Sequence, residues 1–182
     1  MGLRVLAHAD RIAQAWKNGG GITREVATFP SGASMDEFDW RVSIADVSAP
    51  GPFSRFDGID RILTILDGTL LLEFQSEIEP ILLRPGSKHA FDGEAAVYAT
   101  PIGGAVRDLN IMVRRGRWNA RIEHYVSGLH GGDVRIAIAR EHCAMLSPCD
   151  ALLLNEHDEL PPSFTGYLIR LYCGTGTSAS PK

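Results

Sequence analysis

Lysine is nearly missing from this chain. Of 18 basic residues only Lys17, Lys88 and Lys182 are lysine, and the other 15 are arginine. Arginine carries a planar, five-donor fork suited to carboxylate or phosphate. The skew therefore reads either as a pocket for an anionic ligand or as the mark of a genome with biased base composition, and composition alone does not separate the two. Positive charge is also in deficit, 18 basic against 22 acidic residues, for a formal net charge of −4. That excludes a nucleic-acid binder working through a strong global positive field and leaves room only for a local basic patch.

Cysteine is sparse as well. Cys143, Cys149 and Cys173 form no CxxC pair. The odd count, with no secretory leader in MGLRVLAHADRIAQAW, leads us to expect a reducing, cytoplasmic setting. No run of 18 apolar residues occurs, so no membrane-spanning helix is expected. With 45% hydrophobic residues, global disorder is excluded too. A length of 182 residues suits one domain or two small ones, with a core large enough to need no disulfide or metal staple.

Signatures of catalysis are missing. The six histidines (His8, His89, His124, His130, His142, His157) form neither HxH nor HExxH. His89 follows Pro85-Gly86-Ser87-Lys88, a turn that sets a side chain at a strand start, but Glu73 and Asp92 are too isolated to complete the three or four ligands a metal needs. There is no GxSxG. Cys143 and Cys149, near His142 and His157, read as small buried hydrophobes. Glu156, Asp158 and Glu159 read as a solvated turn. No catalytic residue, metal or cofactor is assigned.

Helix-length stretches are also lacking; the one candidate helix is short, around residues 10–16. What the chain does have is short β segments: 40–46, 61–66, 69–74, 81–86, 95–101, 107–114, 121–127, 133–139, 142–146, 150–156 and 166–172. Asp67-Gly68 between two of them predicts a hairpin with a type I′ turn. Many short strands punctuated by Gly, Pro and Asp indicate a sandwich or barrel, and without helices between strands a βαβ fold fails. The two halves are faintly alike: RILTILDGTLLLEF and ILLRPGSKHAF in the first, DVRIAIAREHCAML and DALLLNEHDEL in the second. This suggests two β-barrel domains, 1–104 and 105–182, divided near Gly103-Gly104. The final GTGTSASPK reads as a frayed tail.

Three stretches carry candidate binding chemistry. In WKNGGGITR (16–24), Gly19 to Gly21 allow a tight backbone path, Trp16 offers an aromatic wall, and Asn18, Thr23 and Arg24 offer polar groups. No GK[ST] element follows, so this is not a phosphate loop; a glycine-rich connection whose tryptophan plugs a barrel end fits equally. In WRVSIAD (40–46), alternation puts Trp40, Val42 and Ile44 on one face and Arg41, Ser43 and Ala45 on the other. An inward Arg41/Ser43 row makes a polar pocket wall, an outward one an ordinary solvated surface. In GPFSRFDGIDR (51–61), Phe53 and Phe56 are loop anchors and Asp60 can orient Arg61 or Arg41.

The motifs WKNGGGITRE (16–25), WRVSIADV (40–47), GPFSRFDGIDR (51–61) and DLNIMVRRG (108–116), in this order, resemble the HutD/Ves family. The likeness runs over most of the chain and is strongest in 16–116. It implies an all-β bicupin: two cupin-like antiparallel β-barrels, or jelly rolls, in one chain. Family members are linked to histidine-utilisation genes or to stress responses, with no defining catalytic activity. The usual cupin metal signature is absent, and only PGSKH (85–89) resembles a fragment of the second cupin motif.

From the resemblance we expect a binding protein for a small anionic metabolite, such as formylglutamate. A cupin enzyme acting on a sugar or small acid, using His89 with Asp60, and a protein-interaction module are the alternatives. The expected ligand residues are Trp16, Asn18, Arg24, Arg41, Ser43, Phe56, Asp60, Arg61, His89, Asn110 and Arg114. Arg41, Arg61 and Arg114 would take a carboxylate, and Ser43 and Asn110 an amide or formyl oxygen. Neither nucleic acid nor membrane is an expected partner; a homodimer is expected only because twofold pairing is common.

Overall fold

Alternating residues in 40–47 and 107–114 become neighbouring strands at the centre of one sheet. The computed structural model describes residues 4–143 and 146–174. In chain order the strands are β1 (Arg4–Leu6), β2 (Ala13–Ala15), β3 (Gly21–Phe29), β4 (Trp40–Val47), β5 (Gly51–Pro52), β6 (Ile59–Phe74) and β7 (Ile81–Leu83). They continue with β8 (Lys88–Asp92), β9 (Val97–Arg114), β10 (Trp118–His124), β11 (Val134–Ala139), β12 (Ala151–Leu154) and β13 (Gly166–Cys173). Among the described residues the one helical element is a 3₁₀ turn at His8–Asp10. No helix there is long and apolar enough to cross a membrane.

The chain divides into two compact units, Ile12–Arg115 and Met1–Arg11 with Gly116–Lys182. The first holds an eight-stranded antiparallel sheet in the order β2-β3-β4-β9-β6-β7, with β5 paired to β9 and β8 to β6. The second holds a five-stranded antiparallel sheet, β1-β12-β11-β13-β10. These two sheet systems are the bicupin arrangement that the sequence led us to expect. The division expected at 104/105 instead falls inside β9, and β1 joins the later unit by pairing with β12.

The reason lies in two bulges. Asp67-Gly68 does not close a hairpin: β6 runs through it, and β9 runs through Gly103-Gly104, so that β6 and β9 pair along most of their lengths. The register jumps from Asp67↔Arg107 to Thr69↔Ile102, which sets residues 103–106 opposite Gly68. Gly68 has a φ of 81°, and a Cβ there would lie 2.8 Å from the Ala105 carbonyl oxygen. An unpaired extra segment on one strand bends both, and glycine permits the bend.

Other expectations also change. The helix expected at 10–16 is replaced by the His8–Asp10 turn and β2. The Gly-rich segment leads into the nine-residue β3, which was not expected as a strand. Of the strand expected at 142–146, Cys143 and Leu146 form an isolated bridge, and 144–145 lie outside the described residues. The tail from 175 onward also lies outside them.

In the first unit Leu63, Ile65, Leu70, Leu72, Phe74 and Val97 pack with Phe53 into one core, against which Trp16 and Phe91 rest. In the second unit Ala137, Leu152, Leu168, Leu160 and Phe164 do the same.

Candidate functional site

Within the first unit β9 lies between β4 and β6. Register places their inward side chains on three successive rungs: Arg41–Met112–Arg61, Ser43–Asn110–Leu63 and Ala45–Asp108–Ile65. Arg41, Ser43, Ala45, Asp108, Asn110, Met112, Arg61 and Leu63 line a cavity of about 590 Å³, a size typical of small-molecule sites. The polar row of WRVSIAD therefore faces inward. Trp40, Val42 and Ile44 on its other face are equally buried, so β4 is covered on both sides. Leu63 and Phe53 belong to both the cavity wall and the core.

The mouth is built by the glycine-rich segment. Trp16 donates its indole N–H to Thr23 Oγ1 at 2.7 Å and meets Phe53 edge-on with ring centroids 6.1 Å apart. Gly21 makes this possible: a Cβ there would stand 2.8 Å from the Asp46 carbonyl oxygen and 3.1 Å from the Trp16 ring. Asn18 Oδ1 accepts from the Gly20 amide at 3.0 Å, tying the loop to itself.

Arg61 is the central group. It is 6% exposed, and the Phe53, Phe56 and Phe91 rings surround its guanidinium at 5.3, 5.6 and 4.9 Å from their centroids. Its acceptors among the described residues are neutral: Asn110 Oδ1 at 3.4 Å from both Nε and Nη2, and the Ser54 carbonyl at 3.2 Å from Nη1. Among the described residues no carboxylate lies within 4.0 Å of it. Of five N–H donors, two remain unspent. Burial pulls its pKa down to about 10, the like charge of Arg41 adds to this, and Asp108 opposes it. Arg41 differs in being neutralised locally, by Glu25 Oε2 at 2.9 Å from its Nε.

Asp108 is 2% exposed and opens on the same cavity. Among the described residues it accepts no side-chain or backbone hydrogen bond. Burial raises its carboxyl to about pKa 7; nearby Asp46 raises it further and Arg61 holds it down.

Of the expected ligand residues, the cavity gathers Trp16, Asn18, Arg41, Ser43, Phe56, Arg61 and Asn110. Four lie elsewhere. Thr23 points in, so Arg24, next along β3, points away and binds Asp46 Oδ2 at 2.9 Å. Asp60 likewise points away from the Arg61 face and meets Arg115 Nε at 2.6 Å. Arg114 lies over the Phe38 ring and donates to the Phe38 and Asp36 carbonyls, which clamps that loop. His89 packs between Phe74 and Phe91, with centroids 5.3 and 6.0 Å away. His89 and Asp60 are therefore not brought together as an acid–base pair.

Sequence reasoning passed over Asp108; Thr23 it had named as a polar group of the glycine-rich stretch, though not among the expected ligand residues. Alternation held the signal for Asp108, since it shares parity with Asn110 and Met112. A larger hollow, about 890 Å³, opens in the second unit beside His130, Asp133, Arg135 and His157. There the Arg135 guanidinium is spent on the Asn155 and Asp158 carbonyls. Among the described residues no group of His, Cys, Asp or Glu is placed to hold a metal ion.

Two antiparallel sheet systems in one chain, with a polar row lining a cavity in the first, are the architecture of a cupin-type protein. Comparison places the chain more narrowly. The HutD family profile matches residues 8–163, and the chain belongs to that family. It is 36% identical over 173 residues to an uncharacterized 21.2 kDa protein in the hutC 3′ region of Pseudomonas putida, covering 87% of this chain and 90% of that one. It is 39% identical over 109 residues to protein Ves of Citrobacter koseri, covering 59% of this chain and 56% of that one. Among solved structures it matches HutD from Pseudomonas fluorescens SBW25 with a TM-score of 0.78 and 27% identity, over 95% of this chain and 100% of the other. A conserved protein of unknown function from Pseudomonas aeruginosa PAO1 matches with a TM-score of 0.78 and 30% identity, over 94% and 100%.

Proposed function

We propose that this chain binds a small carboxylate in the β4–β9–β6 cavity, without catalysing its conversion, and that the ligand is an intermediate of histidine breakdown, formylglutamate being the leading candidate. One observation carries the reading: Arg61 is a buried cation in a ligand-sized cavity, with unspent donors and, among the described residues, no carboxylate within 4.0 Å. A buried charge is costly unless paired, and a guanidinium pairs best with a planar anion. The phenylalanine rings hold the fork in place before a ligand arrives, which lowers the ordering cost of binding. The hut context comes from the Pseudomonas putida relative's location in the hutC 3′ region. Binding would then report metabolite level to that pathway or, as the family resemblance read from the motifs implies, to a stress response.

Calorimetry tests this with formate, formylglutamate, urocanate, histidine and glutamate. Formate is included because the Pseudomonas fluorescens HutD structure is of a formate condition. At least one carboxylate is expected to bind wild type, and Arg61→Gln to weaken it by about tenfold or more, the scale of a lost charge-assisted hydrogen bond. Silence across the set from folded protein overturns the reading.

A further inference from the structure

The cavity contains a second group without a protein partner. Asp108 is as buried as Arg61, lines the same space and accepts no hydrogen bond among the described residues. A buried carboxylate usually draws several N–H donors from the protein. Here the neighbours on its rung, Ala45 and Ile65, offer apolar side chains. The closest polar side chain along its own strand, Asn110, accepts from Arg61 with its oxygen, and among the described residues its amide nitrogen makes no hydrogen bond to Asp108. The unfilled position is therefore that of a donor supplied from within the cavity.

Spacing says which donor fits. Asn110, where the Arg61 fork is anchored, and Asp108 are separated by two residues on one face of β9, roughly 7 Å between Cα atoms. One small ligand can therefore reach both groups, with a carboxylate on Arg61 and an N–H on its adjacent carbon turned to Asp108. A dicarboxylate without nitrogen would instead present a C–H there and leave the buried Asp108 carboxylate without a donor.

We infer that Asp108 is a specificity-determining residue: it accepts a hydrogen bond from an N–H on the carbon next to the ligand carboxylate, and so selects α-amino or α-acylamino acids over plain carboxylates. This rests on the carboxylate reading above and narrows its ligand class. The charged groups around Asp108 are Arg61 on β6, Arg41 and Asp46 on β4, Glu25 on β3 paired to Arg41, and Lys17 at the mouth. An N–H donor is held more strongly by ionised Asp108, whereas a plain dicarboxylate leaves the carboxylate unpaired and binds better when it is protonated.

The test is calorimetry with formylglutamate and glutarate, which share two carboxylates on the same carbon spacing and differ in the N–H. Wild type and Asp108→Leu are compared at pH 6 and 8, with folding of the variant checked by circular dichroism and Asp108→Asn as a second variant. For wild type at pH 8, formylglutamate is expected to bind roughly tenfold or more tighter than glutarate. Glutarate should weaken from pH 6 to pH 8, and formylglutamate should not. Asp108→Leu should bring the two ligands to within about twofold of each other and abolish the pH dependence of glutarate. Equal binding of both ligands by wild type, or a preference that survives in both variants, overturns the assignment of Asp108 while leaving the carboxylate site standing. If neither ligand binds, the carboxylate reading itself falls, and this inference with it.

Discussion

Arg61 and Asp108 hold opposite charges in one cavity without forming an ion pair, and each shows in its acidity what burial costs. The carboxyl of Asp108 stands at about 7 because burial outweighs the pull of Arg61. In an unfolded chain it would titrate near ~3.9. With the folded value raised, the folded state binds the extra proton, so this group's contribution is fully present below about pH 4 and is lost as pH rises through 7. Asp108→Asn is therefore expected to stabilise the ligand-free protein at pH 8 by about 1–3 kcal/mol, the scale of an unsatisfied buried polar group. The gain should shrink steadily toward pH 4. Thermal melts of both proteins across that range check it; a constant difference at all pH values would contradict the assignment. Sequence alone marked Arg61 as a candidate, through the neighbouring Asp60 expected to orient it in GPFSRFDGIDR; in the fold Asp60 pairs with Arg115 and the phenylalanine rings hold Arg61. Sequence did not mark Asp108, because an acidic residue in an alternating strand is ordinary until its face is known to be buried.

Among the elements, β4 shows how much a strand's sequence says about itself. The alternation of WRVSIAD assigned its side chains to two faces but left open which one met solvent; in the fold neither does. The same parity explains the misplaced candidates: Arg24 and Asp60 each sit one residue from an inward side chain and so point outward, to Asp46 and Arg115. The Gly19–Gly21 segment was legible as a tight path, and its use is specific. Gly21 lets β3 pass against the Asp46 carbonyl while Trp16 lies over it. Gly21→Ala is expected to cost about 1–3 kcal/mol from overpacking and to weaken carboxylate binding by displacing Trp16. Chemical denaturation followed by tryptophan fluorescence measures the first and calorimetry the second; a variant with unchanged stability and affinity would show that the close approach is unimportant.

At the scale of the whole molecule, the chain divides into two compact units, each with its own sheet, and protection against exchange is set locally. A ligand held by the first unit alone stabilises that unit by mass action, by about 2.7 kcal/mol at a hundredfold excess over its Kd. Hydrogen exchange is then expected to slow in β4, β6 and β9 and to change little in β11, β12 and β13. Equal slowing in both sheets would place the ligand, or the cooperativity, elsewhere.

The sequence by itself determined the β character of the chain, through period-two alternation and frequent turn residues, and the family, through four motifs in a fixed order. It also determined which side chains share a face within each strand, because that periodicity is a local property of extended backbone. The tertiary structure alone decided that Asp67-Gly68 and Gly103-Gly104 are bulges and not turns, since the two readings differ only in what lies opposite them. It alone brought residues 41, 61, 108 and 110 onto adjacent rungs, because register between strands far apart in the chain is set by long-range pairing. And it alone made Arg61 and Asp108 chemically unusual: desolvation is a property of the surrounding fold, which no short stretch of sequence contains.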